Sequence, residues 1–122
     1  MVKSDLGDSR GALQDLDRAV EVGQGKTVLP LVNRSTLKNR VGDHRGAAAD
    51  ASRAIELQPG HVVARLNRAM ALERLGDKEG AAEDFRAALR IDPENDEAKA
   101  GLERVAPREA PRPPPLPWQQ GP

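Results

Sequence analysis

The chain contains no cysteine and no tyrosine, and its only aromatic side chains are one phenylalanine and one tryptophan. Without cysteine there is no disulfide framework, no thiolate nucleophile and no cysteine-ligated metal. Because aromatic residues are so scarce, a core has to be built from Leu, Val, Ile and Ala. Small aliphatic side chains favour thin layers of packed helices over a thick globular core.

Neither sign of charge dominates, since 19 Lys and Arg residues stand against 19 Asp and Glu residues. Nucleic-acid binders gain most of their affinity from basic residues that neutralise phosphates, so the composition argues against that class. No apolar run approaches the roughly 18 residues of a membrane span. The first ten residues contain no apolar segment typical of a secretory signal. We therefore expect no nucleic-acid partner, no membrane span and a cytoplasmic location.

One sequence pattern occurs three times along the chain. Gly-Asp pairs begin at Gly7, Gly42 and Gly76, which are 35 and 34 residues apart. Each pair is followed by x-x-Gly-Ala and then by small and apolar residues at helical spacing. A glycine at a helix end adopts left-handed backbone, and an aspartate after it can cap the next helix. The pattern predicts two helices per repeat, with N-caps at Asp8, Asp43 and Asp77.

This pattern resembles the tetratricopeptide repeat. The resemblance implies an all-α solenoid of antiparallel helix-turn-helix units, closed by a capping helix that carries Ala98, Leu102 and Val105 on one face. Pro59 and Pro93 end the second and third units, because proline does not continue a helix. The predicted divisions are a truncated repeat over 1–27, repeats over 28–61 and 62–95, a capping helix over 96–106 and a proline-rich tail over 107–122.

The front of the array is short, because only six residues precede Gly7. An isolated helix needs about 12–15 residues, and repeat arrays need a polar cap at each end. The apolar stripe of the first repeat would then be half uncovered; it comprises Ala12, Leu16, Ala19 and Val20. Three interpretations stay open: a fragment or truncated isoform with no independent binding role, an alternative start site, or self-association through the uncovered repeat.

The first helix of each unit lines a concave groove in proteins with this repeat. Amides and guanidinia in such a groove suit the backbone and carboxylates of an extended peptide. The resemblance implies a non-enzymatic interaction module with a protein or peptide partner. The predicted groove residues are Asn33, Thr36, Arg40, Asn67, Met70 and Arg74.

The segments "NRS" at 33–35 and "NRA" at 67–69 are similar to those of co-chaperone tetratricopeptide domains, including myosin-folding co-chaperones. This resemblance covers residues 28–106 and implies a chaperone partner. The family grips acidic chaperone tails with a five-residue carboxylate clamp, of which only Asn33 keeps its type here. Val63 and Asn67 replace a lysine and an arginine, and the other two positions fall at or before Met1. The clamp is therefore largely absent.

No catalytic, metal or cofactor site is predicted. The two histidines, His44 and His61, have no serine or cysteine partner at a recognisable spacing and are interpreted as surface residues. No zinc, calcium or CxxC motif occurs. The recurring acidic residues are interpreted as solvated helix faces; they include Asp15, Asp50, Glu83 and Asp84.

A nucleotide-binding protein or an enzyme is the alternative from another class, and it rests on "GQGKT" at 23–27. A phosphate-binding loop requires G-x-x-x-x-G-K-[ST] after a strand. The position five residues before Gly25 is Val20, and a helical pattern precedes it. We therefore interpret the segment as a repeat boundary, with Thr27 as the N-cap of the next helix.

Seven of the ten prolines lie in the tail. This composition predicts a disordered segment with polyproline II character. Arg108, Pro111 and Pro114 match a pattern of SH3 ligands. A second pattern, used by WW ligands, matches Pro114, Pro115, Leu116 and Pro117.

Overall fold

A computed structural model describes residues 2–106 and Trp118. The described part contains six α-helices and no strand, and each helix packs on the next along the chain. None of these helices is long and apolar enough to cross a membrane. The predicted all-α solenoid is confirmed. The helices are α1 (Val2–Val22), α2 (Val28–Arg40), α3 (His44–Leu57), α4 (Val62–Arg74), α5 (Lys78–Ile91) and α6 (Asp96–Val105).

The two later Gly-Asp pairs form the predicted turns. Gly42 and Gly76 adopt left-handed backbone with φ of 93° and 91°, which glycine accepts without steric cost. The Asp43 carboxylate accepts a hydrogen bond from the Gly46 N–H at 2.9 Å. The equivalent bond in the next repeat, from Gly80 to Asp77, has the same length. These contacts end α2 and α4 and start α3 and α5.

The prediction of a helix end at Gly7 and an N-cap at Asp8 is wrong. Helix α1 runs without interruption from Val2 to Val22. Gly7 and Asp8 lie inside this helix, so the turn motif does not end it. Glycine inside a helix costs only about 1 kcal/mol relative to alanine, so a helix can continue through Gly7.

The "GQGKT" segment is the turn between α1 and α2. Gln24 and Gly25 have positive φ of 56° and 67°, and the Gly25 N–H donates to the Val20 carbonyl at 2.9 Å. The Arg53 Nε of α3 donates to the Gly25 carbonyl at 3.0 Å. Thr27 occupies the N-cap position of α2, but its side chain makes no capping hydrogen bond.

Alanine dominates the core. Of the 17 buried apolar residues in the described part, 11 are alanine, so neighbouring helices approach closely. Phe85 of α5 is the largest fully buried side chain there. Its ring packs directly against Gly101 of α6, where a Cβ atom would overlap with it. The cluster around Phe85 also includes Leu66, Ala69, Ala81, Ala82, Ala88, Ala98 and Val105.

Candidate functional site

The inner face of the array is formed by alternate helices. Helix α2 contacts α4, and α4 contacts α6, in addition to the contacts between successive helices. Over residues 2–106, α3 and α5 make no such contact with each other. The side on which α2, α4 and α6 meet is therefore the side toward which the array curves. We call it the inner face, and the side of α3 and α5 the outer face.

Two parallel rows of side chains follow the inner face. The spacing of four, three and four residues places each row on one side of its helix. Most of the predicted groove residues are exposed there, and Met70 is half-buried. The α2 row is Leu29, Asn33, Thr36 and Arg40, and the α4 row is Val63, Asn67, Met70 and Arg74.

Asn67 differs from the other predicted groove residues because it is buried. Its side-chain N–H groups donate to the Thr36 hydroxyl at 2.8 Å and toward the Val32 carbonyl at 3.3 Å. The main-chain carbonyl of Asn67 in turn accepts a hydrogen bond of 2.9 Å from the side-chain amide of Asn39. Thr36 and Asn67 are thus brought together, but the amide N–H groups of Asn67 join α2 to α4. Asn33, Arg40 and Arg74 stay exposed.

Both rows begin with an exposed apolar side chain, a feature that the sequence interpretation missed. Leu29 is 62% exposed and Val63 is 46% exposed. The signal was available, because these residues lie 34 positions apart and so occupy equivalent places in two repeats. The inner face therefore offers apolar contacts at one end and guanidinium groups at the other.

An ion pair joins α4 to α6 beside the α4 row. Arg104 donates two hydrogen bonds to the Glu73 carboxylate, each 2.9 Å long. These bonds favour the charged carboxylate and lower the pKa of Glu73 below its ordinary value of 4.5. The Arg104 side chain is 52% exposed, so solvent screens the pair.

Acidification is expected to remove the contribution of this pair. Because the pKa of Glu73 is lower in the folded state than in the unfolded state, the folded protein binds fewer protons. The stabilisation by the Glu73–Arg104 pair is therefore fully present above pH 4.5. It falls as the pH drops through the folded pKa. Glu73→Gln should cost about 0.5 kcal/mol at neutral pH and less at about pH 3, below the ordinary pKa of 4.5. Urea denaturation of both proteins at both pH values measures this; an equal difference at both would contradict it.

Buried ion pairs lie on the outer side of α2 and α4. Arg34 donates two hydrogen bonds of 2.7 Å to Asp50, and Arg68 donates bonds of 2.7 and 2.8 Å to Asp84. The interpretation of Asp50 and Asp84 as solvated is wrong, since they are only 5% and 3% exposed. Both carboxylates are buried because an arginine 16 positions earlier neutralises each one.

The same arginines also join neighbouring repeats. Arg34 donates to Asp17 of α1 at 3.0 Å, and Arg68 donates to Ser52 of α3 at 3.2 Å. Hydrogen bonds to the aspartates raise the pKa of both guanidinium groups, with Asp50 acting on Arg34 and Asp84 on Arg68. The arginines therefore remain charged and link three helices each.

The histidines serve the ends of helices. The His61 Nδ1 accepts a hydrogen bond from the Ala64 N–H at 3.2 Å and caps α4. The His44 Nδ1 lies 3.0 Å from the Asn39 Oδ1 and is half-buried. Among the described residues, no group of three or more His, Cys, Asp or Glu is placed to hold a metal ion. The predicted tail residues Arg108, Pro111, Pro114, Pro115, Leu116 and Pro117 lie outside the described residues.

The alternating helices and the 34-residue period agree with a family comparison. The sequence model of the tetratricopeptide repeat matches residues 32–96. The chain belongs to the tetratricopeptide repeat family. This match confirms the predicted repeat class. Members of this family are scaffolds for protein interaction. No curated protein sequence matches the chain.

Solved structures of tetratricopeptide domains share this fold. The first such domain of Spaghetti (RPAP3), bound to the HSP90 peptide SRMEEVD, superposes with a TM-score of 0.79 at 22% identity, covering 84% of this chain and 80% of that chain. The second domain of human RPAP3, in complex with the HSP70 peptide SGPTIEEVD, gives 0.77 at 24%, covering 85% and 86%. The Arabidopsis OM64 domain gives 0.78 at 26%, covering 85% of each chain.

Proposed function

We propose that the inner face binds an extended acidic peptide and that the chain acts as a non-enzymatic, co-chaperone-like interaction module. The observation that carries this proposal is the pair of rows on α2 and α4. Their exposed amide and guanidinium groups can pair with a peptide backbone and with carboxylates. Peptides from HSP90 and HSP70 in complex with two similar domains make a chaperone tail the first candidate.

The mode of binding is expected to differ from that of a carboxylate clamp. Val63 provides no charge where the clamp has a lysine, and the buried Asn67 replaces its arginine. Arg40 and Arg74 supply positive charge farther along the rows, while Leu29 and Val63 supply apolar surface. A peptide that combines acidic residues with an aliphatic side chain complements both parts.

A labelled SRMEEVD peptide is expected to bind the chain, as measured by fluorescence polarisation. Asn33→Ala combined with Arg74→Ser should weaken binding about 30-fold, because each change removes a polar contact worth about 1 kcal/mol. Arg45→Ser is the matched control, since Arg45 is also exposed but lies on α3. It should leave the affinity within about twofold.

Two results would contradict the proposal. One is the absence of saturable binding by SRMEEVD and by a displayed library of extended acidic peptides. The other is an equal loss in the inner-face variant and the Arg45→Ser control, which would indicate charge attraction without a defined groove. The first result would favour a chain with no independent binding role.

A further inference from the structure

A second charged surface lies on the outer face, away from the peptide rows. It is a cavity of about 370 Å³ between α4 and α5, next to α3, and we call it the arginine cleft. Arg68 forms part of its wall and reaches Ser52 of α3. Arg68 follows Asn67 directly, so it points about 100° away from the inner row. The lining residues are Arg65, Arg68, Glu83, Asp84, Arg86, Ala87 and Arg90.

The base of the cleft is fixed by Asp84. Arg68 donates two hydrogen bonds to the Asp84 carboxylate, and Arg65 donates a longer one of 3.4 Å. These contacts hold two guanidinium groups in defined positions before any ligand arrives. Preorganised donors lose little conformational entropy on binding.

The rim of the cleft carries charge that the protein itself does not use. Arg86 and Arg90 are exposed, and within residues 9–106 their side chains make no hydrogen bond or ion pair. They lie four positions apart on α5, where like charges repel each other. Four arginines against Glu83 and Asp84 leave a net charge of +2 in the lining.

The preceding repeat shows that the fold does not require these arginines. The positions 34 residues before Arg65, Arg86 and Arg90 are occupied by Leu31, Ser52 and Glu56. The internal pair is the same in both repeats, since Arg34 and Asp50 correspond to Arg68 and Asp84. The three additional arginines therefore form a cationic site that is specific to the third repeat.

We propose that the arginine cleft binds a phosphate group, either as free inorganic phosphate or as the monoester of a phosphorylated side chain. A phosphate monoester carries about 1.5–2 negative charges at neutral pH, which matches the charge of the lining. Its three oxygens accept the parallel hydrogen bonds of guanidinium groups. The cavity volume exceeds the volume of one phosphate group, so atoms attached to the phosphate also fit.

A titration followed by ¹H–¹⁵N NMR tests the proposal at constant ionic strength, with three probes. They are inorganic phosphate, a short phosphoserine peptide and the same peptide with unmodified serine. We expect saturable shifts at the Nε–Hε signals of Arg86 and Arg90 and at the α5 backbone for the first two probes. A tighter phosphopeptide would identify a phosphorylated side chain as the preferred source, and equal affinities a free phosphate.

Arg86→Ser combined with Arg90→Glu introduces the residues found at the equivalent positions of the preceding repeat. This variant should weaken phosphate binding by about tenfold or more. The control is Arg18→Ser with Arg45→Glu, which removes the same charge from exposed arginines outside the cleft. Circular dichroism checks that both variants keep their helices. Equal losses in the two variants, equal binding of unmodified serine peptide, or shifts confined to the inner face would overturn the proposal.

Discussion

Replacing Phe85 with alanine is expected to lower the free energy of unfolding by about 3–5 kcal/mol. Phe85 is 2% exposed and lies where α4, α5 and α6 meet. Its removal opens a cavity in this cluster, and the five buried alanines of the cluster are too small to fill the space. Because domains are typically stable by about 5–15 kcal/mol, this one change removes a large fraction of the total.

Urea denaturation followed by far-UV circular dichroism measures this loss. The control is Val22→Ala, because Val22 is 85% exposed and its truncation leaves no cavity. That change should cost less than about 0.5 kcal/mol. If Phe85→Ala and Val22→Ala had similar effects on the free energy of unfolding, the conclusion that Phe85 packs α6 onto α5 would be wrong.

Replacing Asp84 with alanine is expected to cost about 3 kcal/mol, because it leaves the Arg68 charge partly buried without its partner. The Arg68 side chain is only 26% exposed in the intact pair. Replacing both residues with apolar ones, as in Arg68→Met with Asp84→Leu, should recover most of the loss. Recovery is expected because the Arg68 charge is removed together with its partner. It should be incomplete, because Arg65 also loses its 3.4 Å hydrogen bond to Asp84.

A double-mutant cycle measured by urea denaturation tests this expectation. The single variants Arg68→Met and Asp84→Leu, together with the combined variant, give the coupling energy between Arg68 and Asp84. Additive effects of the single changes would show that the pair contributes nothing specific. Circular dichroism of the combined variant checks that the helices are retained.

The sequence was sufficient to predict the later repeats because local and long-range signals agree there. Gly42 and Gly76 can end a helix, and the aspartates that follow can cap the next one. At Gly7 the same local signal is present, but α1 continues through it. The turn motif alone is therefore not sufficient to end a helix.

The ion pairs show a limit of interpreting one residue class at a time. Asp50 and Asp84 looked solvated because charged side chains are rarely buried without a partner. Their partners, Arg34 and Arg68, recur with the same 34-residue spacing. Correlating opposite charges at equivalent repeat positions would have predicted both pairs.

The candidate site was predicted only in part. Helical spacing placed the groove residues in two rows. It could not show that the Asn67 side chain is buried and donates a hydrogen bond to Thr36. That contact depends on the separation of α2 and α4, which spacing along one helix does not determine. The arginine cleft was missed for a related reason, since its residues come from two helices.

The alanine-rich core has a consequence for how stability responds to temperature. The heat-capacity change on unfolding grows with the apolar area that becomes exposed. Eleven of the 17 buried apolar residues in the described part are alanine, so each contributes little such area. A small heat-capacity change gives a flat stability curve. The array should therefore lose stability only gradually as it is warmed or cooled away from its temperature of maximum stability.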